Sequence, residues 1–289
     1  MAENRFDFDG KPDIAWCPGC GDFSIRQALL SALEELGIER GKLVMVSGIG
    51  QAAKMPQYVN SSFFNGLHGR ALPVAIAVKA VAPDLTVIAE GGDGDMYGEG
   101  GNHFLHAARR NPNVKLFVHD NMVYGLTKGQ AAPTSREGMR TPVQVDGVIS
   151  APLNPVALAI AMNVGFVARA FSGDVEGTKA IMKRAILHEG FALVDIFQPC
   201  VSFNRQNTFQ WFKANTRALE PEYRADDRAA AFSRALEEEP FPLGLLYESG
   251  GRPVFEDRLS VYREDKRPLR ERRHDMSMLR AVMLERRIP

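Results

Sequence analysis

Two short segments carry residues suited to hold a metal ion against a phosphate. Gly92-Asp93-Gly94 and Asp120-Asn121 each follow closely on an apolar run, Leu85 to Ala89 and Val114 to Val118. Runs of this length, bounded by turn residues, read as buried strands. An aspartate carboxylate and an asparagine side-chain oxygen are hard donors of the kind magnesium prefers, and glycines let backbone N–H groups approach a phosphate closely. Magnesium commonly takes part of its coordination from phosphate oxygens, so a metal-bridged diphosphate is the natural occupant. A lone Gly-Asp-Gly is an ordinary turn. Here Asp93 and Asn121, 28 positions apart, each stand just past the end of a predicted strand, which a pair of plain turns does not explain.

The elements that must position these residues alternate along the chain. Asp22 opens a helix, with a capping carboxylate, apolar residues at Ile25, Leu29, Leu33 and Leu36, and a stop at Gly37. A strand is predicted over Leu43 to Ser47 and a helix over Ala71 to Ala82, closed by Pro83. Further helices follow at Asn102 to Arg110, near Pro155 to Met162 and at Val175 to His188, with strands at Phe166 to Phe171 and Phe191 to Phe197. This βαβα alternation specifies an α/β fold, a mostly parallel open sheet with helices on both faces, which binds ligands at the carboxyl ends of its strands. The irregular stretch from about 121 to 150 is too long for a plain connector and reads as a functional loop or lid. After Pro199 short helices are expected, and from about Phe255 the chain is charged and aperiodic. The division predicted is residues 1–200 as the α/β domain and 201–289 as a helical extension ending in a partner-contacting arm.

Composition narrows the function classes. The 289 residues carry 35 Lys+Arg against 35 Asp+Glu, so no bulk field draws the protein to nucleic acid or an anionic membrane. No apolar run approaches the roughly 18 residues of a membrane span. The polar, acidic stretch Met1 to Lys11 lacks the pattern of a secretion signal, and three cysteines are no disulfide framework. A cytoplasmic protein with reduced thiols is expected.

Beyond the Asp93/Asn121 pair, Trp16-Cys17-Pro18-Gly19-Cys20-Gly21-Asp22, Ser47-Gly48-Ile49-Gly50, Leu67-His68-Gly69-Arg70-Ala71-Leu72-Pro73, Gly100-Gly101-Asn102-His103 and Tyr124-Gly125-Leu126-Thr127-Lys128-Gly129-Gln130 stand in this order. Together they resemble the β subunit of 2-oxoacid:ferredoxin oxidoreductases, thiamine diphosphate enzymes, from about residue 12 to about 215. The resemblance implies that Asp93 and Asn121 bind Mg²⁺ by side chain and Val123 by its carbonyl. It places the diphosphate on Gly92, Gly94, Asp95 and the Gly125-Leu126-Thr127 turn, with Cys20, Gly21, Asp22, Gly48 and Ile49 also at the cofactor. His68 and Arg70 would face the cofactor or the substrate carboxylate, and Lys54 would help hold that carboxylate. The plainer readings are a structural histidine in a turn and a surface lysine. The activity implied is coenzyme A-dependent oxidative decarboxylation of a 2-oxoacid, 2-oxoglutarate or pyruvate, with electrons passed to ferredoxin or a similar low-potential acceptor. An α subunit supplies the acid that activates thiamine, so this chain is expected to be inactive alone. The alternatives are a non-oxidative thiamine-dependent decarboxylase or carboligase subunit and, further off, a nucleotide-binding α/β protein.

The cysteines depart from that family. Cys17 and Cys20 form a C-x-x-C, a spacing that zinc sites and redox pairs also use, and Cys200 follows a strand end. By the resemblance these three bind a [4Fe–4S] cluster together with a fourth cysteine placed after Ser-Gly-Ile-Gly, and here that position is Gln51. Such clusters ordinarily take four thiolates. Three outcomes stay open: a cluster with a non-cysteine or exogenous fourth ligand, for which Gln51, Ser61 and Ser62 are candidates, a three-iron cluster, or none; retention of the other three cysteines favours a cluster.

Overall fold

A computed structural model describes residues 4–8, 13–273 and 275–286. Eight strands form one sheet: β1 (Leu43–Ser47), β2 (Ser62–Asn65), β3 (Thr86–Gly92), β4 (Val114–Asp120), β5 (Phe166–Phe171), β6 (Ala192–Phe197), β7 (Thr216–Ala218) and β8 (Phe241–Glu248). Their spatial order is β2-β1-β3-β4-β6-β5-β8-β7. The first six are mutually parallel, and β8 joins β5 antiparallel. The helices are α1 (Asp22–Glu35), α2 (Ala71–Val81), α3 (Gly101–Arg110), α4 (Pro155–Ala161), α5 (Val175–Leu187), α6 (Phe209–Ala214), α7 (Arg228–Ala235) and α8 (Met276–Glu285).

Central strands are buried on both faces, as a parallel sheet under helices requires. In β4, Val114, Leu116 and Val118 pack with residues of α2, α3, α4 and α7 on one face, while Phe117 packs with residues of α1 and α5 on the other. Lys179 and Lys183 of α5 reach Glu35 of α1 at 2.9 and 2.7 Å, tying the two helices of that second face. From β1 the chain goes outward to β2 and then crosses back to β3 on the other side of β1. The carboxyl ends of β1 and β3 therefore flank a point where strand order reverses, the place at which open α/β sheets form a crevice.

The region after residue 200 differs from an expectation of short helices alone. β7 and β8 extend the same sheet, and β8 contains Pro242 and Gly244, residues that hide a strand from pattern reading. The charged stretch Arg263 to Arg273 is not a free tail. Tyr262, 2 % exposed, donates its hydroxyl to the Ala80 carbonyl at 2.7 Å, and Arg270 grips Asp84 through two bonds of 2.9 and 2.7 Å. Beyond this anchor α8 leaves Met276, Met278, Leu279, Val282, Met283 and Leu284 exposed. Among the described residues no helix is long and apolar enough to cross a membrane.

Candidate active site

The crevice between β1 and β3 opens into a cleft walled by the loops after β1, β3, β4 and β6 and by the turn before α1. In register, Gly92 of β3 faces His119 of β4, so the residues that leave the two strands, Asp93 and Asp120-Asn121, emerge side by side. The cleft brings together Cys17, Cys20, Asp22, Ile49, His68, Gly92, Asp93, Gly94, Asp95, Asn121, Val123, Gly125, Leu126, Thr127 and Cys200. Gly21, Gly48, Lys54 and Arg70 are not on its wall. Gly21 and Gly48 lie behind it, where a Cβ would strike Ser172 Oγ at 2.7 Å and Asp95 Oδ2 at 2.3 Å respectively. Arg70 turns its guanidinium onto the carbonyls of His68 and Glu99, and Lys54 lies in the 3-10 turn Ala52–Tyr58.

Asp93 is buried, and burial pushes its carboxyl up to about 7, against hydrogen bonds from Thr134 and Gly94. Thr134 lies within hydrogen-bond reach of Asp93 Oδ2 at 2.6 Å and Asp120 Oδ1 at 2.8 Å. A hydroxyl has one proton to give, so bonding both carboxyls requires one of them to carry a proton. Asp120 is held well above the usual carboxylate range by burial and by the charges of Asp195 and Asp93, which makes it the proton holder and leaves Asp93 free to ionise. Asn121 donates its amide to Gln198 Oε1 at 3.1 Å, while its own Oδ1 accepts the Val123 N–H at 3.1 Å.

Asp95 serves the loops. Its Oδ1 accepts the Ile49 and Gly69 N–H groups at 3.2 and 2.6 Å, linking three segments, and its buried Oδ2 has no partner among the described residues. It lies in the first turn of a π-helix, Gly94–Glu99, a form seen mostly at functional sites. His68 Nε2 stands 3.4 Å from Glu99, which also accepts the Tyr124 hydroxyl at 3.0 Å. The Tyr124 ring covers Gly94, where a Cβ would lie 2.1 Å from it.

The start of α1 holds a surprise in its first residue. Asp22 does not cap the helix. Its Oδ1 meets His119 Nδ1 at 2.6 Å, and its Oδ2 accepts the Cys20 thiol at 3.3 Å. His119 in turn reaches Glu90 Oε1 at 2.9 Å. Burial opposes charge on this imidazole, but the bonds to Asp22 and Glu90 outweigh it and raise the group to about 9. Burial and the Asp22 charge keep Cys20 a protonated thiol. Sequence reasoning missed Thr134, His119, Glu90 and Gln198, and named Asp120 without giving it a role. The long loop 121–150 was the signal for Thr134, and nothing local marks the others.

The donor set fits a magnesium diphosphate. A buried carboxylate, an adjacent amide oxygen and glycines that open the wall all face one cleft.

Residues 41–196 match the family model of the thiamine pyrophosphate enzymes' C-terminal TPP binding domain, and 200–264 match that of the C-terminal part of the pyruvate ferredoxin oxidoreductase β subunit. The chain is 41% identical over 271 residues to 2-oxoacid:ferredoxin oxidoreductase 2 subunit beta of Aeropyrum pernix, covering 90% of this chain and 88% of that one. It is 42% identical over 198 residues to 2-oxoglutarate oxidoreductase subunit KorB of Mycobacterium tuberculosis, covering 68% and 53%. A solved structure of 2-oxoglutarate:ferredoxin oxidoreductase from Magnetococcus marinus, with 2-oxoglutarate, coenzyme A and succinyl-CoA bound, superposes with a TM-score of 0.88 at 34% identity, over 98% of this chain and 95% of that one.

Proposed function

The chain belongs to the β subunits of 2-oxoacid:ferredoxin oxidoreductases, and from that premise we propose that its cleft binds thiamine diphosphate through magnesium for the coenzyme A-dependent oxidative decarboxylation of a 2-oxoacid. Asp93, Asn121 and the Val123 carbonyl are the metal ligands in this reading. The observation that carries it is the convergence of Asp93 and Asn121 from adjacent strand ends on a glycine-walled cleft. When bound, thiamine diphosphate supplies the nucleophilic carbon that makes loss of CO₂ from a 2-oxoacid feasible. The protein's part is to place it. Asp93 neutralises the metal, the backbone around Gly92 and Gly94 and the Gly125 to Thr127 turn meets the phosphates, and Ile49 and Leu126 give the cleft apolar contact. His68, on the rim beside Glu99, is placed to meet the substrate carboxylate.

Each carboxylate on the cleft wall already has a task. Asp22 holds His119, Asp93 faces Thr134, and Asp95 ties backbone N–H groups. The acid that protonates an aminopyrimidine, which the family resemblance assigns to the α subunit, comes in this reading from an α subunit closing over the cleft. Exposed Ile49, Phe63, Phe64, Leu67 and Leu126, on or near its rim, suit such a partner. Residues 1–200 carry the site, and 201–289 end in the arm that contacts the partner. We assign 2-oxoglutarate or pyruvate as substrate, ferredoxin as acceptor and the cytoplasm as location. The non-oxidative and nucleotide-binding alternatives are set aside, since relatives matching 90% of the chain are oxidoreductase subunits.

The test is the α–β complex with Asp93→Asn, assayed for bound thiamine diphosphate and for viologen reduction with a panel of 2-oxoacids plus coenzyme A. The substitution should empty the cofactor site and abolish reduction. Retained thiamine binding refutes the role of Asp93, and absence of coenzyme A-dependent reduction by the unaltered complex refutes the activity.

A further inference from the structure

We infer that this chain builds no iron–sulfur cluster, and that Gln51 is the position that decides it. Going beyond the activity proposed above, the inference rests on the same cleft. Cys17, Cys20, Cys200 and Gln51 all stand on its wall, so the chain folds the four positions of a cluster site into one place. Only three of the four are thiols, and the chain has no other cysteine to recruit.

The three thiols are placed for separate purposes. Cys17 is exposed and accepts the Ser202 hydroxyl at 3.1 Å. Cys20 donates a thiol hydrogen bond to Asp22 and accepts one from the Gln198 amide, both at 3.3 Å. Cys200 packs with Val123, Met139 and Val148. Gln51 opens the 3-10 turn Ala52–Tyr58 with its backbone carbonyl fixed by the Trp16 indole N–H at 2.8 Å. Its Oε1 is buried without a donor. A neutral amide oxygen is a hard, weak donor, whereas these clusters are held by soft, anionic thiolates. Ser61 and Ser62, at the edge strand β2, do not line the cleft and offer no replacement. Electrons from the cleft then pass directly to a centre held outside this chain, in a partner subunit or in ferredoxin.

The experiment compares four forms of the anaerobically purified α–β complex after reconstitution with ferrous iron and sulfide: unaltered, Cys17→Ser, Gln51→Cys, and the double variant. Iron, acid-labile sulfide, the electron paramagnetic resonance spectrum of the dithionite-reduced sample and bound thiamine diphosphate are measured in each. The unaltered and Cys17→Ser complexes should contain equal iron. Gln51→Cys should gain about four irons per β chain and a new cluster signal, both removed by adding Cys17→Ser. More iron in the unaltered complex than in Cys17→Ser overturns the inference, and no gain in Gln51→Cys overturns the role given to Gln51. Thiamine content reads the cofactor site independently, so failure of the proposed activity is distinguishable from failure here.

Discussion

Thr134 is the residue whose removal most directly probes the metal site. Thr134→Val nearly preserves volume and deletes one hydroxyl, which lies 2.6 Å from Asp93 and 2.8 Å from Asp120. The residue is 4% exposed, so water is poorly placed to substitute. A hydrogen bond to a charged group contributes about 1.5–3 kcal/mol. In the folded protein that bond orients Asp93 and favours its ionised form, so its loss falls on metal binding. At 1.4 kcal/mol per decade this amounts to about 10- to 100-fold weaker magnesium affinity, the range typical when a residue supporting a metal ligand is removed. The assay is calorimetric titration of magnesium into the α–β complex at saturating thiamine diphosphate, with Thr134→Ser as the control that restores a hydroxyl. If the valine variant binds magnesium within about twofold of the unaltered complex, well inside the expected loss, the hydroxyl bridge has no functional weight and the reasoning fails.

Further outcomes are expected. Because burial raises Asp93 to about 7, protons compete with the metal below that pH, so magnesium affinity, read by calorimetric titration, should fall about tenfold per unit between pH 7 and 5. In stability terms, a carboxyl raised above its unfolded value helps the metal-free fold at low pH. That help is lost as pH rises through about 7, so the magnesium-induced rise in Tm should be larger at pH 8 than at pH 6. Gly94→Ala puts a methyl 2.1 Å from the Tyr124 ring, and the displaced tyrosine loses Glu99; an overpacking cost of about 1–3 kcal/mol predicts thiamine diphosphate affinity lower by about 5- to 100-fold, read by equilibrium dialysis. His119→Gln leaves Asp22 and Glu90 buried without their cation and should cost about 3–5 kcal/mol in urea denaturation at pH 7. The same support is lost in the unaltered protein as pH rises through about 9, where the imidazolium deprotonates.

Most of the fold was legible. β1, β3, β4, β5 and β6 and helices α1 to α5 stand within a few residues of their predicted places, since apolar period and glycine or proline stops are local signals. β2 escaped because Ser62-Phe63-Phe64-Asn65 is four exposed edge residues with no alternation, and β8 because Pro242 and Gly244 interrupt it. The convergence of Asp93 and Asn121 was legible for a topological reason, as both residues follow strand ends. Asp22 was read as a helix cap because its partner, His119, is 97 positions away, and no local rule connects them. Thr134 was hidden likewise, since the loop's purpose shows only when Asp93 and Asp120 are seen to flank its hydroxyl.

The π-helical turn over Gly94–Glu99 carries a consequence for how this segment can evolve. A π turn spends one residue more per hydrogen-bonded loop than an α turn, so it behaves as an insertion absorbed in place. Deleting a single residue from Met96 to Gly98 would let α3 extend backwards as regular helix and swing Asp95 by about 100° around its axis. The carboxylate that ties Ile49 and Gly69 would then point elsewhere, and the loops of β1 and β3 would part. Sequence within the turn is free to drift where side chains allow, but its length is locked, and indels in this stretch should be lethal to cofactor binding even when every ligand is retained.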